Sequence, residues 1–414
     1  MAHTETALPS AVSTPLRVSL TPALKRAPSA GTPPALLDSV GPTVCIGGSL
    51  GIDGLALPVT PDAITLFGPR GACLVGREGP LWISDTGHHR LLGWARPPAH
   101  DDTPADWVIG QPDFFHEGRN AKGNPGAATL NVPTGITACG AGLAVADAWN
   151  HRVLIWHTLP QDHNAPADLV LGQADFCGMQ SNRGANAPAA DTLFWPYGIH
   201  WDGERLWVAD SGNRRVLMWN GLPSTNGQCA DLVLGQHDFT CRDENAGAEP
   251  TNFSMRWPHD ITRWNGRLCV ADAGNNRIMV WDELPSGNGA SCDHVLGQND
   301  ALLVDNNQSL YWPTSSSVNM PYGMTASGDW LLIADTANSR LIGWHSDDCA
   351  TGVAARALTA QPDFHAKGDN RWQMPVRDSL CWPYGIRACG DQIVVSDSGN
   401  SRVLLWKLSS ECAS

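Results

Sequence analysis

His259 and Asp260 are the neighbouring residues of this chain best suited by type to move a proton or hold a metal: an imidazole that titrates near neutral pH beside a carboxylate. They stand in the phrase WPHDI. The same phrase recurs, altered, as VPTGI, WPYGI, MPYGM and WPYGI, with a degenerate copy in FGPRGAC. The residue after the proline therefore reads Arg70, Thr134, Tyr197, His259, Tyr322 and Tyr384. Tyr, Arg and His combine apolar area with hydrogen bonding, the composition of a recognition surface. One histidine is too few for a zinc site, which takes three or four ligands. The sequence shows no HExxH or P-loop phrase and no CxxC pair among its 12 cysteines, so neither a cofactor nor a metal is expected.

These residues belong to a repeat. LWISDTGHHRLLGW, LAVADAWNHRVLIW, LWVADSGNRRVLMW, LCVADAGNNRIMVW, LLIADTANSRLIGW and IVVSDSGNSRVLLW are six copies of one stretch. Their aspartates, Asp85, Asp147, Asp210, Asp272, Asp335 and Asp397, lie 62 or 63 residues apart. Five residues after each stands an arginine: Arg90, Arg152, Arg215, Arg277, Arg340 and Arg402. Six identical pairs cannot all be one catalytic centre, so the sequence reads them as structural, each Asp accepting turn amides and facing its Arg. Seventeen residues beyond the tryptophan that ends each of the first five copies comes Gln111, Gln173, Gln236, Gln298 or Gln361, opening phrases such as GQPDF. An asparagine follows at Asn120, Asn182, Asn245, Asn307 or Asn370. These groups are expected to staple a long loop, which needs internal hydrogen bonds to stay ordered.

Each repeat reads as four short strands: one after Pro-x-Gly, one ending at the Asp, one from Arg to Trp and one ending at Gly-Gln. That is a propeller blade, and 42 Gly and 30 Pro supply the turns. The fold class is therefore all-β, a six-bladed β-propeller with four antiparallel strands per blade. The last copy ends near the C-terminus without a fourth strand, and TVCIGG near residue 45 resembles one, so an N-terminal strand is expected to close the ring. The phrase P-x-G-I followed by V-A-D-x-x-N-x-R-V-x-x-W resembles the NHL-repeat family of six-bladed propellers, and the GQxDF phrase resembles a variant seen in bacterial NHL proteins. The resemblance covers residues 43–406. It implies the fold, and it leaves function open, because that family includes scaffolds, RNA-binding modules, and some lyases or hydrolases.

A formal charge of −14 with no Lys/Arg-rich block excludes a nucleic-acid partner, and no stretch of about 18 apolar residues is present to span a membrane. Residues 1–40, rich in Ala, Pro, Ser and Thr, read as a disordered arm with no signal-peptide pattern, and residues 41–410 as a single propeller. Cysteines such as Cys269 in LCVAD read as buried free thiols of a cytoplasmic protein. The functional expectation is a monomeric, non-enzymatic propeller that holds a protein or peptide on the loop face around its channel. The alternative is a propeller lyase or hydrolase with His259 and Asp260 at the channel mouth.

Overall fold

The computed structural model describes residues 31–47 and 60–412. Blade three shows how a repeat folds. Its strands run Pro196–Trp201, Arg205–Asp210, Arg215–Asn220 and Leu232–Leu234 in antiparallel order. Apolar runs such as LWVAD and RVLMW are buried on both faces because each sheet packs between two neighbours. The cores accordingly mix adjacent blades: Ile155 and Leu171 of blade two pack with Val208 and Trp219 of blade three. Five sheets use consecutive strands, and the sixth orders Val44–Gly47 outside Arg402–Lys407. Among the described residues there are 24 strands and no α-helix, only short 3-10 turns.

The Asp–Arg pairs are the internal joints. In all six blades the Arg Nε donates to the Asp Oδ2 at 2.6–3.0 Å, and both side chains are buried. The aspartate does not accept turn amides, as its sequence position implied. Its Oδ1 instead accepts a backbone amide from the loop leading into the blade, as Phe194 N does on Asp210 at 2.7 Å. Arg215 then spends its remaining hydrogens on three carbonyls. Its Nη1 donates to Phe239 O, and its Nη2 donates to Ala189 O and Thr192 O. One pair therefore fixes the loop before a blade and the loop after it. The Gln and Asn of the repeat hold the same loops: Gln173 Nε2 donates to His151 O and Gln180 O, and Asn182 exchanges hydrogen bonds with Asn213 of the next blade.

An outer strand with a bare edge invites edge-to-edge pairing, and here the edges are covered by the neighbouring blade. Val170 N donates to Asn226 Oδ1 while its carbonyl accepts from Gly227 N, both from the connection before blade three's fourth strand. His163 and Asn164, Asn288 and Gly289, and Thr351 and Gly352 do the same on Val108, Val233 and Val295. Blade six lacks such a connection after Trp406, and the segment before Val44 supplies it. Leu358 N donates to Pro34 O, Leu36 N donates to Leu358 O, and Trp406 Nε1 donates to Asp38 O, as Trp219 Nε1 does to Gln228 O. The sequence places a loose arm over residues 1–40. Residues 1–30 lie outside the described residues, and residues 34–38 differ from that expectation. Leu36 and Leu37 are buried between blades five and six, because the apolar gap there has nothing else to fill it.

A chain beginning at Gly41 keeps every strand yet loses Leu36 and Leu37. Its denaturant midpoint should correspond to a loss of about 3 to 6 kcal/mol, at roughly 1.5 to 3 kcal/mol per buried Leu; an unchanged midpoint would refute the covering role. Asp210→Ala, which leaves Arg215 buried without its anion, should cost about 3 to 5 kcal/mol in the same measurement.

Candidate functional site

The blade lead-ins fix the channel mouth. In five blades the residue before the proline sits in the left-handed region, at Gly68, Val132, Trp195, Met320 and Trp382, with φ of 49–58°. For a bulky residue this is strained, and each is held by a capped amide. Val132 N and Trp195 N donate to the Nδ1 of His89 and His151, Met320 N to Asn276 Oδ1, and Trp382 N and Gly68 N to the hydroxyls of Ser339 and Ser401. Every acceptor belongs to the turn of the preceding blade. At blade four the acceptor position is Arg214, which has no lone pair to offer. Trp257 N turns to Asp272 Oδ1 at 3.3 Å instead, and Trp257 does not take a positive φ.

Five of the six expected rim residues meet. Tyr197, His259, Tyr322 and Tyr384 stack in sequence, with ring centroids 4.6, 4.2 and 4.6 Å apart. Arg70 closes the circle, its guanidinium 4.7 Å from the Tyr384 centroid and its Nη1 3.5 Å from the Tyr197 hydroxyl. Thr134 is buried and donates to the Tyr197 carbonyl, so it faces the neighbouring strand and takes no part in the stack. The result is a plug. The remaining cavity is about 30 Å³, room for ordered water and far below the ~300 Å³ at which small-molecule pockets begin.

His259 and Asp260 do not act on each other. His259 Nδ1 donates to Trp257 O at 3.1 Å. Asp260 receives Nη1 and Nη2 of Arg387 at 2.6 and 2.8 Å, with Met324 N at 2.9 Å. The His-Asp pairing suggested by adjacency fails because successive side chains on a strand leave in different directions. Burial pushes His259 down to about 4, so it is neutral at pH 7 and a weak base there. Sequence reasoning missed Arg387 and His200, which both lie four residues after the proline of their blades. That column reads Cys73, Thr137, His200, Thr262, Thr325 and Arg387. Asp260 replaces a glycine and Arg387 stands where three blades carry threonine, so the two departures account for each other as a cross-channel ion pair. His200 Nε2 is buried without a partner, and burial, then the charge of Arg387, pushes the ring down to about 3.

Outside the plug the same face is apolar. Trp195, Trp257 and Trp382 are 40%, 43% and 38% exposed. Among the described residues, every large exposed apolar side chain except Val40 and Leu222 stands on the long loops or turns of this face, including Phe115, Met179, Leu302 and Trp372. The sequence signal was present in the W-P dipeptides, which the reading used only to mark strand starts.

The NHL repeat matches residues 255–281, which run from the WPHDI phrase of blade four through its third strand. A glutamyl-Q tRNA(Asp) synthetase of Klebsiella pneumoniae (strain 342) is 28% identical over 128 residues, covering 28% of this chain and 42% of that protein. The chain thus spans about two fifths of the length of that relative. Among solved structures, a hydrazine synthase of Kuenenia stuttgartiensis is similar at 12% identity and a TM-score of 0.47, over 85% of this chain and 99% of that one. A streptogramin B lyase is similar at 13% identity and a TM-score of 0.43, over 84% and 95%. Likenesses at these levels say nothing of activity.

Because burial holds His259 and His151 at about 4, the unfolded chain takes up their protons first, near pH 6.5. The stability they contribute is complete above about pH 6.5 and is lost as pH falls toward 4. His259→Phe keeps a ring in the stack without the titration. It should reduce the stability lost between pH 7 and pH 4.5 by about 2 kcal/mol relative to the native chain; parallel pH profiles from chemical denaturation would contradict this.

Proposed function

We propose that this protein, a six-bladed propeller built on the NHL repeat, is a binding scaffold that holds a protein or peptide on its loop face. The observation that carries this reading is the distribution of exposed apolar side chains, concentrated on the long loops and turns around the channel mouth. Exposed apolar side chains gathered on one face mark interaction sites where they join into a patch, and Trp, Tyr and Arg are the residue types that anchor them. Trp195, Trp257 and Trp382 are the anchors. Arg70, Tyr197 and Tyr384, each partly exposed, give the centre of the face a rigid aromatic floor. Pre-organisation of this sort limits the entropy lost on association.

The enzyme alternative is less well supported. The plug leaves no substrate-sized cavity, His259 is neutral, and Asp260 is committed to Arg387. Twelve free cysteines and, among the described residues, no helix long and apolar enough to cross a membrane fit the proposed cytoplasmic setting. The covered strand edges fit a monomer.

The combined variant Trp195→Ala, Trp257→Ala and Trp382→Ala should still fold cooperatively, with a modestly lowered melting temperature, since these residues are about two fifths exposed and lie outside the buried cores. Anchors of this kind contribute at least 1 kcal/mol each, so binding to a partner captured by quantitative pull-down should fall about a hundredfold or more. His259→Ala should leave capture intact. Equal recovery of the same partners by the triple variant would exclude this face.

A further inference from the structure

The seams between blades are built alike, so each is a control for the others, and the seam between blades four and five differs in one respect. Asp282 follows the third-strand Trp281 of blade four, and His294 opens that blade's fourth strand, His294–Leu296. Cys349 ends the helical turn Ser346–Asp348 of blade five. One ligand atom from each lies within 4.8 Å of the other two, and His294 Nε2 is 3.0 Å from Asp282 Oδ2. At the equivalent strand position blades two and three carry Leu169 and Leu232. At the position of Cys349 the preceding blades carry Gln161, Ser224 and Ser286. None of those seams brings three metal-ligating types together by sequence position.

The surroundings are those of a ligand set. Asp282 Oδ1 accepts from Arg267 Nε at 2.9 Å, which leaves Oδ2 facing the cluster; an outer hydrogen bond of this kind orients a ligating carboxylate. The carboxylate and a thiolate supply two negative charges to a divalent ion. Arg267 and Asp293, the charged groups near Cys349 besides Asp282, offset each other. Cys349 is only partly buried and the His294 side chain is 28% exposed, so the cluster is open to entering metal and a water can complete a tetrahedron. A mixed oxygen, nitrogen and sulfur set favours zinc over magnesium or calcium.

We propose that Asp282, His294 and Cys349 bind a zinc-type divalent cation, with a fourth position open to water, and so staple blade four to blade five. Binding exchanges the thiol proton of Cys349 for the metal and releases it to solvent. The staple lies two residues from Thr351, whose hydroxyl accepts from Val295 N to cover blade four's outer strand. The metal therefore secures an edge cover that elsewhere rests on hydrogen bonds alone.

The test is titration of the metal-free full-length protein with Co²⁺, followed by competition with Zn²⁺. One equivalent of cobalt should bind with a near-ultraviolet thiolate-to-cobalt band, and zinc should raise the melting temperature by mass action. Cys349→Ser should remove the band. His294→Leu installs the residue that two other blades already use there, so the fold is kept, and it should weaken zinc binding by about tenfold or more. Replacing the exposed Cys177 and Cys229 with Ser should change neither result. No cobalt band in the native protein, a band that survives Cys349→Ser, or zinc held as tightly by His294→Leu would each overturn the assignment.

Discussion

A buried arginine and aspartate, met six times at one register, is the constraint on which the ring depends. Removing two charges from water is costly, and a well-packed apolar pair is often as stable. An apolar pair could not do what Arg215 does. Its guanidinium has five hydrogens in a rigid fork, and it gives them to Asp210 and to three loop carbonyls that burial would otherwise leave unsatisfied. The long loops between blades have little regular structure of their own, so their backbone groups must find partners elsewhere. The ion pair supplies those partners and thereby sets where each loop, and so each first strand, begins.

Closure follows the same logic at the level of the blade. A propeller is stable when no sheet keeps a free edge, and here each outer strand is capped by the next blade's connecting segment. The sixth blade ends at its third strand, so both its fourth strand and the cover on blade five come from the N-terminal side, through Val44–Gly47 and Pro34–Leu37. Cys45 N in turn donates to Asp101 Oδ1 of blade one. The covering thus continues across the point where the two chain ends meet.

The fold was legible because repetition converts a weak local signal into a strong one: six aspartates at 62 or 63 residues leave one architecture. The candidate site was legible by column, since the residue after the proline does converge at the channel mouth. What those side chains do to one another was not. Stacking turned an expected open rim into a plug, and adjacency in sequence failed for His259 and Asp260 because partners across a channel come from other blades. The segment Pro34–Leu37 was hidden for a related reason: Leu36 and Leu37 sit in a Pro- and Ala-rich stretch and acquire a partner only when the ring closes, 322 residues away in the case of Leu37 and Thr359.

The repeat also makes departures from it interpretable, because five other copies show what the position needs for folding alone. Arg214 stands where the other blades carry a side chain able to accept a hydrogen bond, and the consequence is local: Trp257 leaves the left-handed region and its amide finds Asp272. Asp260 and Arg387 depart in two different blades and cancel as one ion pair. These two departures are each answered by a partner inside the fold, which is why they read as structure. The exposed tryptophans differ in kind. Blades one, two and five place Gly68, Val132 and Met320 at the same position and fold equally well, so the ring does not require an indole there. A large apolar side chain that the fold can do without, left about two fifths exposed on three blades of one face, is the departure on which the proposed binding role rests.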